Sequence, residues 1–246
     1  MRHLILHLEA PLMSFGGDVI DANGPTLDFP LASLVTGLIA NALGLARGQR
    51  AEHQRLQARL VVGSRLDRSG ERIVDFQTAQ LGKHDRGWTT RGVVEGRSGD
   101  TYDSPHIRSR HYLADALVTV ALRLEPAGEP PTIDDVAHAL DYPARPLFIG
   151  RKSCLPSARI FGGFVEADDV LSALMTWPLS SEVGRDQIRI SVPPAEGARL
   201  GRYRAESVSD LRDWIAGVPA GERQVHLLSV SKSDFKGAQA NEHDPT

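Results

Sequence analysis

Residues 3–9 alternate in polarity, with Leu4, Leu6 and Leu8 on one side and His3, His7 and Glu9 on the other. A period of two predicts a strand with one buried face, ended by Pro11. After a loop holding Gly16, Gly17, Gly24 and Pro25, the period lengthens. Leu31, Leu34, Val35, Leu38, Ile39, Ala42 and Leu43 fall at helical spacing, which predicts a helix over about 30–43 closed by Gly44. Its opposite face is small, with Ser33, Gly37 and Asn41. Strands are predicted over 60–66 and 118–124, the second alternating Val118, Val120, Leu122 and Leu124 with Thr119, Ala121 and Arg123. Thr132 can cap a further helix whose first turn carries Asp135, and residues 159–166 form a fourth strand.

Strand, helix, strand, strand, helix, strand is the ferredoxin-like order, so an α+β, RRM-like domain is expected over 1–166. The connection between its second and third strands is long and has no clear period. It holds Gly82, Gly87, Gly92, Gly96 and Gly99 among Lys83, Arg86, Arg91 and Arg97, and a projecting hairpin over about 76–106 would account for it. Beyond residue 166, a short helix at 170–175, strands at 187–192 and 224–230, and a helix over 207–215 predict a small, mixed, β-rich C-terminal subdomain, 167–246. Its polar tail, 236–246, is expected to fray.

Hydrophobic residues at 41% and charged residues at 24% fit a globular chain, and 246 residues can bury a sizeable core. A net charge of −3 excludes a uniformly basic surface, so any polyanion site must be a local patch. The single cysteine, Cys154, cannot close an internal disulfide, and no apolar run approaches membrane-spanning length. A cytoplasmic chain with no membrane partner is expected.

Two stretches concentrate cations without acids. Tyr142 to Val165 contains Arg145, Arg151, Lys152 and Arg159 and no acidic residue. Within it, Gly150-Arg151-Lys152-Ser153 sets a glycine beside two cations and a hydroxyl. Backbone N–H groups and side chains can then approach one phosphate together, although a solvated turn has the same composition. The second stretch is His106 to Tyr112, where alternation places Arg108, Arg110 and Tyr112 on one face. Two guanidiniums and a phenol can hold phosphates and stack a base; a charged, solvent-facing strand is the alternative. Acid–base RNA cleavage is a competing chemistry, with Lys83, His84, His106, His111 and Tyr112 as candidates, but no further group is visible to orient them. His3 and His7 lie on a strand, where they do not converge on a metal, and no Walker or dinucleotide-binding loop is present, so neither metal nor cofactor is expected.

The blocks Pro11-Leu-Met-Ser14-Phe15-Gly16, Pro25 to Gly44, Arg110-His-Tyr112-Leu113-x-Asp115-Ala116 and Pro146-Leu-Phe-Ile-Gly150-Arg151-Lys152-Ser153-Cys154 occur in that order. Together they resemble the CRISPR-associated Cas-five family, in the branch serving type I-E Cascade complexes. The resemblance implies a modified ferredoxin-like domain with a protruding thumb hairpin and a β-rich C-terminal part. It implies a non-catalytic subunit that grips the 5′ handle of the guide RNA (crRNA) and caps the backbone filament in antiviral defence. The implied partners are that handle, a backbone subunit of the Cas-seven family, a large subunit of the Cas-eight family and target DNA in the assembled complex. The implied RNA-binding residues include Ser14 and Gly16 as well as the two cationic stretches, with Lys83, Arg86, Arg91 and Arg97 on the thumb. Relatives often carry a basic residue just before the serine matching Ser33; Ala32 stands there, so no phosphate contact is assigned to that helix start. The type I-C branch contains a guide-processing ribonuclease using tyrosine, lysine and histidine, but this chain has no tyrosine in its first helix or the flanking loops.

Overall fold

The computed structural model describes residues 1–17, 19–80, 105–180, 186–197 and 202–235, with the backbone alone at 87–88 and 94–95. Lys83, His84, Arg86, Arg91, Arg97 and the 236–246 tail lie outside the described residues. Strand β1 (Arg2–Met13) has the predicted alternation but is covered on both faces, with Leu4, Leu6 and Leu8 buried on one and His3 and Ile5 on the other. The second cover is C-terminal chain that a local pattern cannot anticipate. After the two-residue β2 (Asn23–Gly24), α1 (Ala32–Ala42) buries Val35, Leu38, Ile39 and Ala42.

Helix α2 (Arg50–Arg59) has no apolar period to announce it, and Leu56 is its one large apolar core residue. Polar anchors hold it instead. Arg59 is 1% exposed and donates to the carbonyls of Pro126 (2.9 Å) and Pro130 (3.1 Å), while the Gln57 amide donates to the Arg212 carbonyl (2.9 Å). These bonds satisfy donors that burial would otherwise strand.

Next come β3 (Leu60–Arg68), β4 (Glu71–Ala79), the short pair β5 (Gly87–Trp88) and β6 (Val94–Glu95), and the nineteen-residue β7 (His106–Leu124). The C-terminal half of β7 lies between β1 and β3, whereas its other half pairs with β4, from Glu71 opposite Ala114 to Ala79 opposite His106. The hairpin arms therefore begin at residue 71, earlier than the expected 76. Gly70 sets the departure point at φ +61°, where a Cβ would sit 2.2 Å from the Ala114 carbonyl oxygen. Arg68 braces the same corner by donating to the Asp115 carbonyl (2.7 Å) and the Glu9 carboxylate (3.1 Å).

Helix α3 (Ile133–Asp141) opens with the expected cap. The Asp135 N–H donates to Thr132 Oγ1 (3.2 Å) and the Thr132 N–H donates to Asp135 Oδ2 (2.7 Å). β8 (Phe161–Glu166) and α4 (Val170–Thr176) follow, then β9 (Gln187–Val192), α5 (Pro194–Gly197), β10 (Arg204–Val208), β11 (Arg212–Asp213), β12 (Val218–Pro219) and β13 (Arg223–Ser231). Seven strands run in the order β10-β13-β9-β3-β7-β1-β8, every neighbouring pair antiparallel. Residues 187–231 thus extend the main sheet through β3, with Ser64 opposite Ser191, and make no separate large sheet among the described residues. The helix expected over 207–215 does not form. Chain from Arg204 to Val208 is strand, and Arg212–Asp213 pairs with Val218–Pro219.

The sheet separates two cores. Helices α1, α2 and α3 cover Leu4, Leu6, Leu8, Val118, Val120 and Leu122, and α4 covers Ile5, Ala121, Ile188 and Ile190 on the other side.

Candidate nucleic-acid interface

Three of the singled-out blocks meet in space. Gly150 has φ +90°, and a Cβ on it would lie 1.7 Å from the Ser14 carbonyl oxygen, so the turn after α3 can press against the loop after β1 only as glycine. The contact is reinforced by the Ser14 N–H reaching the Ile149 carbonyl (3.4 Å) and the Ile149 N–H donating to the Cys154 carbonyl (2.8 Å). Arg151 then reaches across to β7 and β2. Its Nη1 donates to the His111 carbonyl (2.9 Å), its Nη2 to the Gly24 carbonyl (2.9 Å), and its guanidinium lies 4.6 Å from the Tyr112 ring centroid.

That geometry corrects two expectations. Tyr112 is 4% exposed and belongs to the core, so its ring stacks on Arg151 and is not an open platform for a base. Arg151 is half-buried and spends one N–H of each terminal nitrogen on a backbone carbonyl, so it braces the site and has only its remaining N–H groups to offer a phosphate. The remaining cations also sort by what they touch. Arg145 donates to the carbonyls of Gly44 (2.9 Å) and Leu45 (3.0 Å), where a cation suits the C-terminal end of α1. Arg159 donates from Nε to Asp141 (2.6 Å), and that bond holds the Asp141 carboxyl below the usual carboxylate range. The stretch that is acid-free in sequence is therefore partly neutralised by an acid one residue outside it. Arg110 is half-buried, and its Nε has no partner in the structure. Arg108, Lys152 and Ser153 are exposed. Cys154 is buried, and desolvation raises its thiol pKa, which makes it a packed side chain and not a nucleophile.

Ser14, Gly16, Gly150 and Arg151 line one wall of a groove of about 670 Å3. Its floor carries Phe15, Leu31, Leu34 and Leu38, and the small face of α1 (Ser33, Gly37, Asn41) opens onto it. The far wall is residues that the sequence did not single out: Arg47, Arg50, His53, Arg212 and Trp214. Four arginines thus face one concavity with no Asp or Glu among the described lining residues. Low-dielectric walls bearing one sign of charge concentrate counter-ions, so the groove favours an anion. The signal that could have found Arg47 and Arg50 is their spacing as two cations after Gly44, whereas Arg212 and Trp214 reach them only through the tertiary fold.

The N-terminus of α1 is not free to join in. The Ala32 N–H donates to Asp210 Oδ2 (3.3 Å), the Ser33 N–H donates to the Asp210 carbonyl (3.0 Å), and the same carboxylate pairs with Arg223 (2.5 Å). A carboxylate from the C-terminal part thus fills the place where a phosphate would otherwise bind a helix start, which agrees with Ala32 standing in place of a cation.

Comparison with known proteins fixes the family. The family described as CRISPR-associated protein (Cas_Cas5) matches residues 3–226. This chain belongs to the CRISPR-associated Cas5 family. It is 29% identical over 182 residues to the CRISPR system Cascade subunit CasD of Escherichia coli (strain K12), an alignment covering 74% of this chain and 80% of CasD. Its fold is similar to a chain of a CRISPR RNA-guided surveillance complex, with a TM-score of 0.70 and 26% identity over 93% of this chain and 90% of that one. It is also similar to a Cas protein known from a crystal structure, with a TM-score of 0.62 and 25% identity over 96% of this chain and all of the other. The Cas5 match extends past Trp214, so both walls of the groove lie within the family region.

Proposed function

We propose that this chain is a non-catalytic, guide-RNA-binding subunit of a type I-E Cascade surveillance complex, holding the 5′ handle of the crRNA and capping the backbone filament. The observation that carries the proposal is the acid-free, four-arginine groove built where the Ser14–Gly16 and Gly150–Arg151 blocks touch. Likeness to CasD and to a surveillance-complex chain supports the same assignment. The order β8-β1-β7-β3, antiparallel with α1 and α3 on one face, supports the modified ferredoxin-like description, and the β4–β7 hairpin supports a thumb. In this reading, Arg108, Lys152 and Ser153 supply exposed contacts around the groove. The neighbours are a Cas-seven-family backbone subunit, a Cas-eight-family large subunit and target DNA.

The binding role is preferred to ribonuclease action for a geometric reason. His111 and Tyr112 are successive residues of β7 and point to opposite faces, and Tyr112 is buried under Arg151, so they do not converge on one scissile phosphate. Repeat RNA incubated with excess protein should therefore remain intact on a gel. Metal-independent cleavage at one position, abolished by Tyr112→Phe or His111→Ala, would overturn the assignment in favour of an endoribonuclease.

Binding should also be salt-sensitive. If about four cations each neutralise one phosphate, log affinity should fall with log salt at a slope near −2.8, taking roughly −0.7 per contact for single strands. A flat response in a salt titration would remove the phosphate argument.

A further inference from the structure

We infer that the loop between β11 and β12 makes the C-terminal part of this chain a component of the RNA site. Trp214 and Arg212 close the groove into a seat for a single nucleotide of single-stranded RNA. The inference rests on the RNA-binding role proposed above and assigns a place and a ligand chemistry within it. Trp214 is held at the groove wall by two polar anchors: its N–H donates to Gln54 Oε1 (3.0 Å) and its Nε1 to Gln57 Oε1 (3.0 Å). With both N–H groups tied to α2, the indole is fixed, so little rotamer freedom remains to be lost on binding. His53 lies 4.9 Å from the indole ring and the Arg212 guanidinium 5.4 Å from it, so an aromatic surface and a cation stand together. On the α1 side, a Cβ at Gly37 would lie 3.7 Å from the indole, an ordinary van der Waals distance, so the edge of the ring lies against the small face of α1 and is positioned from that side as well.

The cations are placed for the charged half of the same ligand. Arg50 spends Nη1 on the Ile215 carbonyl (2.7 Å) and Arg212 spends Nη2 on the Gly217 carbonyl (2.6 Å), bonds that tie the loop down. A guanidinium carries five N–H donors, so both retain donors for an anion. Exposed Arg47 adds a third positive charge on the connection between α1 and α2. An apolar floor, an aromatic wall and a cationic rim match a nucleotide, with stacking for the base and charge-assisted hydrogen bonds for the phosphate. The groove volume falls within the range of roughly 300–1,000 Å3 that encloses small ligands. A run of acidic peptide would satisfy the cations but make no use of the fixed indole.

Binding of a labelled single-stranded repeat RNA to the full chain, read by anisotropy at two salt concentrations, tests the inference. Arg47→Glu should weaken binding roughly tenfold or more at low salt, with an unchanged melting temperature because the side chain is exposed. Trp214→Leu should weaken it at least roughly fivefold at both salt concentrations, because stacking is not screened. Ultraviolet crosslinking should place the RNA on the peptide containing Trp214. If wild-type protein binds RNA, yet Arg47→Glu leaves affinity unchanged and crosslinks fall elsewhere, the nucleotide seat is wrong and the RNA-binding role stands. Displacement of bound RNA by an acidic peptide, with no crosslink at Trp214, would also overturn it in favour of a protein ligand. If neither the isolated chain nor the assembled complex holds RNA, both proposals fall.

Discussion

Replacing Asp67 with alanine is expected to lower stability by about 3–5 kcal/mol, the range for leaving one member of a buried ion pair unpaired. Arg65 is fully buried, and its Nε and Nη2 donate to the two oxygens of Asp67 at 2.5 and 3.0 Å. Thr119 Oγ1 donates to the same carboxylate (2.6 Å), and Arg65 Nη1 and Nη2 go on to the carbonyls of Leu174, Trp177 and Pro178. One buried guanidinium therefore joins β3 to the C-terminal end of α4. Without Asp67 it keeps its carbonyl partners but loses its counter-charge, in a place where water cannot replace it. The double change Arg65→Met with Asp67→Leu should recover only part of the loss. It removes the charges, as apolar replacement of a buried pair can usefully do, but leaves three carbonyls without their donor. Urea unfolding midpoints with unchanged slopes would read both effects. A loss below about 1 kcal/mol for Asp67→Ala would mean that water reaches Arg65 and the pair is not sealed.

The parts of this fold that were legible are those that local chemistry decides. β1 alternates, α1 repeats at helical spacing, and Thr132 with Asp135 caps α3; each signal lies within a few residues. Helix α2 was illegible because Gln57 and Arg59 hold it through carbonyls far away in sequence. β4 was missed because its apolar residues Val74 and Phe76 stay exposed, at 58% and 63%, so no burial pattern marks the strand. The helix expected over 207–215 was lost to Asp210, which the fold uses to cap α1 and pair Arg223.

The candidate site divides in the same way. Charge along the sequence located Arg145, Arg151 and Arg159, but charge alone does not reveal partners. One sits on carbonyls of the turn just after α1, one on β-strand carbonyls and one on Asp141. The groove became visible only when β11 and β12 brought Arg212 and Trp214 against α1.

Gly150→Ala is expected to cost roughly 3 kcal/mol and to strip guide RNA from the assembled complex. A non-glycine residue at φ +90° is strained by about 1–3 kcal/mol on its own, and here the added Cβ would also overlap the Ser14 carbonyl oxygen at 1.7 Å. An overlap with backbone cannot be relieved by a rotamer change, so either the 146–154 turn or the Ser14–Gly16 loop must move. Both line the groove, and Arg151, with its bonds to the His111 and Gly24 carbonyls, would move with the turn. Arg151→Ala should accordingly lower both stability and RNA retention. Lys152→Ala should leave the melting temperature unchanged and reduce RNA retention alone, because Lys152 is exposed. Thermal melting of the isolated chain, paired with RNA content of the complex purified with each variant, separates these outcomes. If Gly150→Ala melted with the wild type and still lost RNA, the Ser14 carbonyl would have withdrawn without cost. The glycine would then be serving close approach of the RNA backbone, and not the contact between the two loops.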